Sequence, residues 1–303
     1  MKFSVQLPTD RVERCDEFVA ADAIAEMARA VEHAGFDACY VTEHPFPTDA
    51  WLATGGHHSL DPFVALTAAA MATKKLRLHT NILVLPYRNP FLTAKSVASL
   101  DALSGGRVIL GVAAGYLEGE YAALGADFAE RNEVTDEALV AMKRAWSGGS
   151  VELAGRGFSA AGNTMLPRPV QTPHPPIWVG GNTRVAMRRA VLHGQGWSPF
   201  PIPGAYAGRA RTAAIEGVDD LRDRIAELRD YAKSVDRRAP LDVNFVPFGH
   251  GMNAKPPLDL RALRDQIAEL EAIGVTWVSV GLPTGSRGAY LESAARFGAE
   301  VIA

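Results

Sequence analysis

The chain has 303 residues, 48% of them hydrophobic and 21% charged, with a formal net charge of −3. That apolar fraction is enough to bury a full core, which argues against disorder. No apolar run reaches the roughly 18 residues of a membrane helix, and mild acidity argues against binding nucleic acid, whose affinity rests on basic phosphate contacts. Length allows either two domains or one β/α barrel of about 250 residues with insertions. The two cysteines, Cys15 and Cys39, lie far from any Cys/His ligand spacing, so no metal site is expected. Two isolated thiols fit a reducing cytoplasm. Residues 1–7 run straight into strand-like alternation, so no secretory leader is expected.

Residues 2–7 alternate as a strand. Asp22 reads as the N-cap of a helix in which Ile24, Met27, Ala28 and Val31 share one face, with Gly35 as the stop. Residues 38–42 form a short buried strand. Asp61-Pro62 opens a second helix. Residues 76–83 are a third strand, and Pro90 opens a helix closed by Gly105-Gly106. Residues 107–113 are a fourth strand, followed by a helix over 134–146. Residues 148–176 are rich in Gly and Pro and read as an irregular insertion, as do 45–60 and 199–218. Strands at 177–179, 196–198, 242–248 and 277–280 alternate with helices at 183–193, around 221–231, from Asp259 to Gly274, and at 288–302.

Eight apolar strands alternating with amphipathic helices predict a parallel sheet covered on its outer face, closed as a single-domain (β/α)8 TIM barrel. The alternative, an open doubly wound sheet, should carry GxGxxG after its first strand, and this chain has Leu7-Pro8-Thr9-Asp10 there.

In such a barrel, chemistry sits at the C-terminal ends of the strands. The second strand runs into Thr42-Glu43-His44, and an imidazole at a strand tip can move or hold a proton near neutral pH. Polar Asn81 interrupts the third strand, where it either serves a ligand or marks a bulge. Ala113, Ala114 and Gly115 let a ligand approach the backbone. Gly180-Gly181-Asn182 precedes a helix and can offer N–H groups to an anion. His57-His58 reads as a solvated loop tip, and Trp197 and His250 as packing residues.

Several segments together resemble the luciferase-like family of flavin- and deazaflavin-dependent oxidoreductases. They are Val41-Thr42-Glu43-His44, Asp61-Pro62-Phe63, the run from Leu83 to Pro90, the run from Leu100 to Tyr116, Thr135 to Leu139, and Pro176 to Gly181. The segment from Gly274 to Pro283 is similar to the coenzyme F-420 (deazaflavin) branch.

The resemblance implies a cis peptide at Asn81-Ile82 behind the cofactor ring, with Thr80, Asn81 and Ile82 supporting it. It implies Glu43 and His44 beside the ring, with His44 as the catalytic residue. Ala113, Ala114, Gly115 and Tyr116, with Gly180, Gly181 and Asn182, would hold a phosphate tail. FMN is the alternative cofactor, used by luciferase-like monooxygenases, and a non-catalytic flavin-storage protein is a third reading. The partners expected are a small-molecule substrate and, by likeness to the family, a second copy in a homodimer. Tyr116 departs from the branch that oxidises a sugar phosphate, which carries a carboxylate at that position.

Overall fold

A computed structural model describes residues 1–251 and 258–303. Eight parallel strands close a barrel: β1 (Lys2–Gln6), β2 (Ala38–Val41), β3 (Arg77–Val84), β4 (Val108–Ala113), β7 (Ile177–Gly180), β8 (Gly196–Ser198), β9 (Asp242–Phe245) and β10 (Trp277–Val280). The spatial order is β1-β10-β9-β8-β7-β4-β3-β2, so β1 pairs with both β2 and β10 and the sheet has no edge. The expected single-domain barrel is the observed fold.

The helices are α1 (Ala21–His33), α2 (Asp49–Leu52), α3 (Pro62–Ala72), α4 (Pro90–Ser104), α5 (Glu118–Ala123), α6 (Arg131–Trp146), α7 (Arg184–His193), α8 (Gly204–Ala207), α9 (Val218–Ser234), α10 (Leu260–Ile273) and α11 (Arg287–Phe297). Their ends follow local chemistry. Asp61 caps α3 by accepting from the Phe63 and Val64 N–H groups, with Pro62 at the first helical position. Asp259 caps α10, and Gly274 closes it in a left-handed conformation at φ 105°.

Three expectations need correction. Asp22 is not the cap of α1: the helix begins two residues earlier, after Ala20, and the Asp22 carboxylate accepts from the adjacent Ala23 N–H. Residues 148–176 are not irregular throughout, because β5 (Val151–Gly155) and β6 (Phe158–Asn163) pair as an antiparallel hairpin. The stretch 199–218 holds α8 and a bridge in which Ile202 and Ile215 exchange backbone hydrogen bonds. The insertion at 45–60 likewise carries the single-turn α2.

The apolar outer faces of the strands pack under the helices in one continuous core. Part of the barrel interior is aromatic: Trp178 packs on Trp277 at 5.0 Å and on His79 at 4.8 Å. Another part is polar: Ser279 Oγ donates to Asn244 Oδ1 at 2.8 Å, and Asn244 Nδ2 donates to Ser198 Oγ at 2.7 Å. These three polar groups are spent on each other, whereas the buried Ser4 hydroxyl and His79 ring nitrogens have no hydrogen-bond partner among the described residues.

One irregularity shapes that site. The register of β3 against β4 slips between Thr80 and Leu83, so β3 bulges at Asn81-Ile82. The Asn81–Ile82 peptide is cis, as the resemblance implied. Gly111 on β4 makes room for the bulge: a Cβ there would lie 2.1 Å from the Thr80 carbonyl oxygen.

Candidate functional site

A cavity of about 480 Å3 opens at the C-terminal ends of β2, β3, β4, β7 and β8. That is within the ~300–1,000 Å3 range of small-molecule sites. Its wall includes Glu43, His44, Asn81, Ile82, Ala113, Ala114, Gly115, Tyr116, Gly180 and Gly181, ten residues that the sequence had placed at a site. Two others stand back from it. The Thr80 hydroxyl is buried and donates to the Gly111 carbonyl at 2.8 Å, bracing the bulge. Asn182 is fully buried: its amide donates to the Phe200 and Ala213 carbonyls, and its Oδ1 accepts from Phe200 N. Its own backbone N–H donates to Thr212 Oγ1 at 3.0 Å, so Asn182 staples the 199–218 segment instead of offering an N–H to an anion.

The ledge of the cavity is Ile82. Its Cδ1 lies where a side chain at 180 would begin, since a Cβ on Gly180 would fall 1.9 Å from it. Glycine at 180 is thus what allows the bulge to project. Trp197, expected to pack, is fully buried, and its indole N–H holds the Gly181 carbonyl at 2.9 Å. His250 contributes its carbonyl, which accepts from Gly281 N at 2.9 Å.

At the β2 end, Glu43 is 4% exposed. Its carboxylate accepts from Val84 N at 2.6 Å and pairs with the Arg88 guanidinium, which reaches on to Asp61 at 3.0 Å. Burial pushes the Glu43 carboxyl above its usual range, while Arg88 and the Val84 N–H oppose that rise. His44 beside it is tied at its backbone N–H to Ser59 Oγ at 3.0 Å, and its Nδ1 lies 3.2 Å from Glu120 Oε2. Burial, and then the charge of Glu120, raises the Tyr116 phenol above its ordinary value.

His57 was misread as a solvated tip. Its ring packs against His44 at 4.8 Å and Trp51 at 5.6 Å and lines the cavity. Burial lowers it to about 4, so the ring is neutral at physiological pH.

The β7 end is cationic. Arg131, Arg189 and Arg211 line it, with Asn132, Thr183 and Thr212. Arg189 is 3% exposed and bound to Asp136 at 2.5 Å. Arg131 and Arg211 both lie over the Phe128 ring, at 4.1 and 4.6 Å, and Arg211 also reaches Glu118 at 3.0 Å. None of these arginines, nor Glu120, was singled out by sequence. Arg131 begins a mixed-charge helix, Arg189 sits within α7, and Arg211 lies in a stretch with no regular pattern, so none carried a local signal.

Residues 1–229 match the family described as luciferase-like monooxygenase. The chain belongs to that family. An uncharacterized protein of Mycobacterium tuberculosis is 34% identical over 267 residues, covering 84% of this chain and 83% of that one. The FMNH2-dependent dimethylsulfone monooxygenase of Pseudomonas putida is 32% identical over 164 residues, covering 53% of this chain and 44% of that one. The structure of the coenzyme F420-dependent tetrahydromethanopterin reductase from Methanopyrus kandleri superposes with a TM-score of 0.73 at 18% identity, covering 99% of this chain and 98% of that one. Luciferase-like enzymes are flavin- or deazaflavin-dependent oxidoreductases, and the residues present fit such a group. The wall at 113–115 and 180–181 is made of Ala and Gly, so a planar ring can reach the backbone. Thr42 Oγ1 is buried in the same wall and has no hydrogen-bond partner among the described residues. Among those residues, no cluster of three or more metal-binding side chains occurs and no helix is long and apolar enough to cross a membrane.

Proposed function

We propose that the protein is a cytoplasmic oxidoreductase that uses coenzyme F-420 for hydride transfer to or from a small organic substrate. The observation that carries this is the Ile82 ledge at the cavity wall, with Gly180 leaving the space behind it. When bound, the cofactor supplies the two-electron hydride chemistry. The chain supplies position and shielding. Ile82 and Asn81 would back the tricyclic ring. The Ala113–Gly115 and Gly180–Gly181 walls would admit its edges. Arg131 and Arg211, near the N-terminus of α7, would hold the anionic tail. Glu43, clamped by Arg88 and Val84, fixes the tip of β2 and so fixes where His44 stands. His44 would hold or move the substrate proton. Trp51 and His57 pack on His44 at 4.3 and 4.8 Å and limit water at that nitrogen-bearing ring.

The Gly274–Pro283 segment, similar to the deazaflavin branch, supports F-420 over FMN. The dimethylsulfone monooxygenase relative favours a second reading, an FMN-dependent monooxygenase. Titrating the apoprotein with each cofactor separates the two: F-420 is expected to bind at least ten times more tightly than FMN, and the reverse order would overturn the first reading. The exposed Val64 and Met71 of α3 and Leu92 and Leu103 of α4 support a homodimer, which analytical ultracentrifugation would test.

A further inference from the structure

Glu120 is a carboxylate in the wall behind His44, and it is 1% exposed. Its Oε1 accepts from Phe46 N at 3.2 Å. Its Oε2 accepts from the Tyr87 hydroxyl at 3.0 Å and faces His44 Nδ1 at 3.2 Å. Among the described residues no Lys or Arg pairs with it, and His44 is its basic partner. An ionised carboxylate has acceptors only. A neutral His44 can therefore bond to Glu120 only by donating from Nδ1, and Nε2 then keeps its lone pair. No hydrogen bond engages Nε2 among the described residues, and the ring lines the cavity.

The other titratable groups around His44 do not compete for this arrangement. His57 Nδ1 donates to the His58 carbonyl at 2.9 Å, and that ring is neutral above about pH 4. The Tyr116 ring is 6.5 Å away, centroid to centroid. Glu43 is turned to Arg88 and Val84. Tyr87 spends its proton on Glu120 itself.

We propose that Glu120 is the positioning residue of the site: it locks His44 as the Nδ1–H tautomer, so that Nε2 faces the cavity as a proton acceptor. The same carboxylate pins the start of the 45–60 loop through Phe46 N, which couples the tautomer of His44 to the placement of the loop that covers it. A proton taken up at Nε2 puts positive charge on a ring that already faces a carboxylate. The catalytic half of this assignment rests on the proposed function above; the tautomer does not.

Nitrogen-15 NMR of the histidine-labelled protein near pH 7.5 is the direct test, with the His44 signals assigned by loss in His44→Gln. The wild type is expected to show a protonated Nδ1 and an unprotonated Nε2. Glu120→Gln reverses this for a specific reason. The Phe46 N–H keeps the amide oxygen of Gln on its side, so the amide NH2 takes the place of Oε2, where it donates to Nδ1 and to a Tyr87 hydroxyl turned to accept, leaving the proton on Nε2. In steady state, that variant should lose about tenfold or more in kcat, a part of the ~10²–10⁴-fold that general acid–base catalysis supplies. Its cofactor Kd should stay within about twofold, because Glu120 does not line the cavity. A wild-type spectrum with the proton on Nε2 overturns the proposal even if Glu120→Gln does not fold. So does an unchanged tautomer and kcat in a folded Glu120→Gln. If the tautomer is as expected but neither cofactor binds, the positioning role stands and the proposed function fails.

Discussion

At the β2–β4 end of the cleft, acids are buried and fully engaged. Glu43 and Glu120 are 4% and 1% exposed, and each holds one backbone N–H, with Arg88 on the first and His44 and Tyr87 on the second. At the β7–β8 end, Arg189 is buried but the outermost charge stands in water: the Arg211 side chain is 47% exposed and its partner Glu118 67%. Buried groups act through geometry, because moving them leaves unpaired polar atoms at a cost of about 1–3 kcal/mol each. Exposed groups act through the field they project, which salt screens over roughly 8–10 Å. Changes at the first end should therefore alter turnover and stability with little salt dependence. Changes to the exposed charges at the second should alter cofactor affinity and be salt-dependent.

The sharpest challenge to this contrast is Gly180→Val. The new side chain claims the space of Ile82 Cδ1 and must displace the ledge. Overpacking of about 1–3 kcal/mol corresponds to roughly a fivefold to 150-fold weaker cofactor affinity, independent of salt. Unchanged affinity by fluorescence titration would remove Ile82 from the cofactor site. Next in size is Glu43→Gln, which strips Arg88 of its buried partner and should lower the unfolding free energy by about 2–3 kcal/mol in urea titrations. A change below half that would mean Asp61 suffices for Arg88.

Acid should then weaken the buried side. His57 is held down to about 4 and His79 to about 3, in both cases chiefly by burial. The unfolded chain protonates both near pH 6.5, while the native state does not. Their contribution is complete above that pH and is lost as pH falls from 6.5 toward 4, by about 2–3 kcal/mol for each ring over that window. Urea midpoints at pH 7 and pH 5 check this, and His57→Gln should flatten part of the slope. The smallest effect is expected at the open end. Arg211→Gln should change stability by less than about 0.5 kcal/mol. Its cofactor affinity should fall a few-fold at low salt and converge with wild type in high salt. A salt-independent loss would place Arg211 in direct, desolvated contact.

The barrel was legible because its strands and helices obey local rules with marked ends. Asp61-Pro62, Asn89-Pro90 and Asp259 begin helices by capping, and Gly105 and Gly274 end them. The strand tips then located His44, Asn81 and Gly180 without any contact being known, and the resemblance added Ile82. Glu120 escaped because α5 is six residues long, too short to show a period, and because its partners His44, Phe46 and Tyr87 lie far from it in the chain. His57 escaped because Gly55-Gly56 looks like a solvated tip, whereas Trp51 folds back over Gly56 and carries the loop inward. The β5–β6 hairpin was hidden by its Gly and Ala content, which blurs the alternation that marks a strand.

The closed strand order has a consequence for how the molecule comes together. Lys2 pairs with Trp277, and Val5 with Val280, so the first strand completes its hydrogen bonds only with the last. Pairing across nearly the whole chain carries a large loop-closure cost and forms late. Until β10 arrives, β1 and β9 each present a bare ladder of N–H and C=O groups, which is an invitation to pair with another chain. A chain ending before residue 277 would lack β10 and leave both of those edges unpaired.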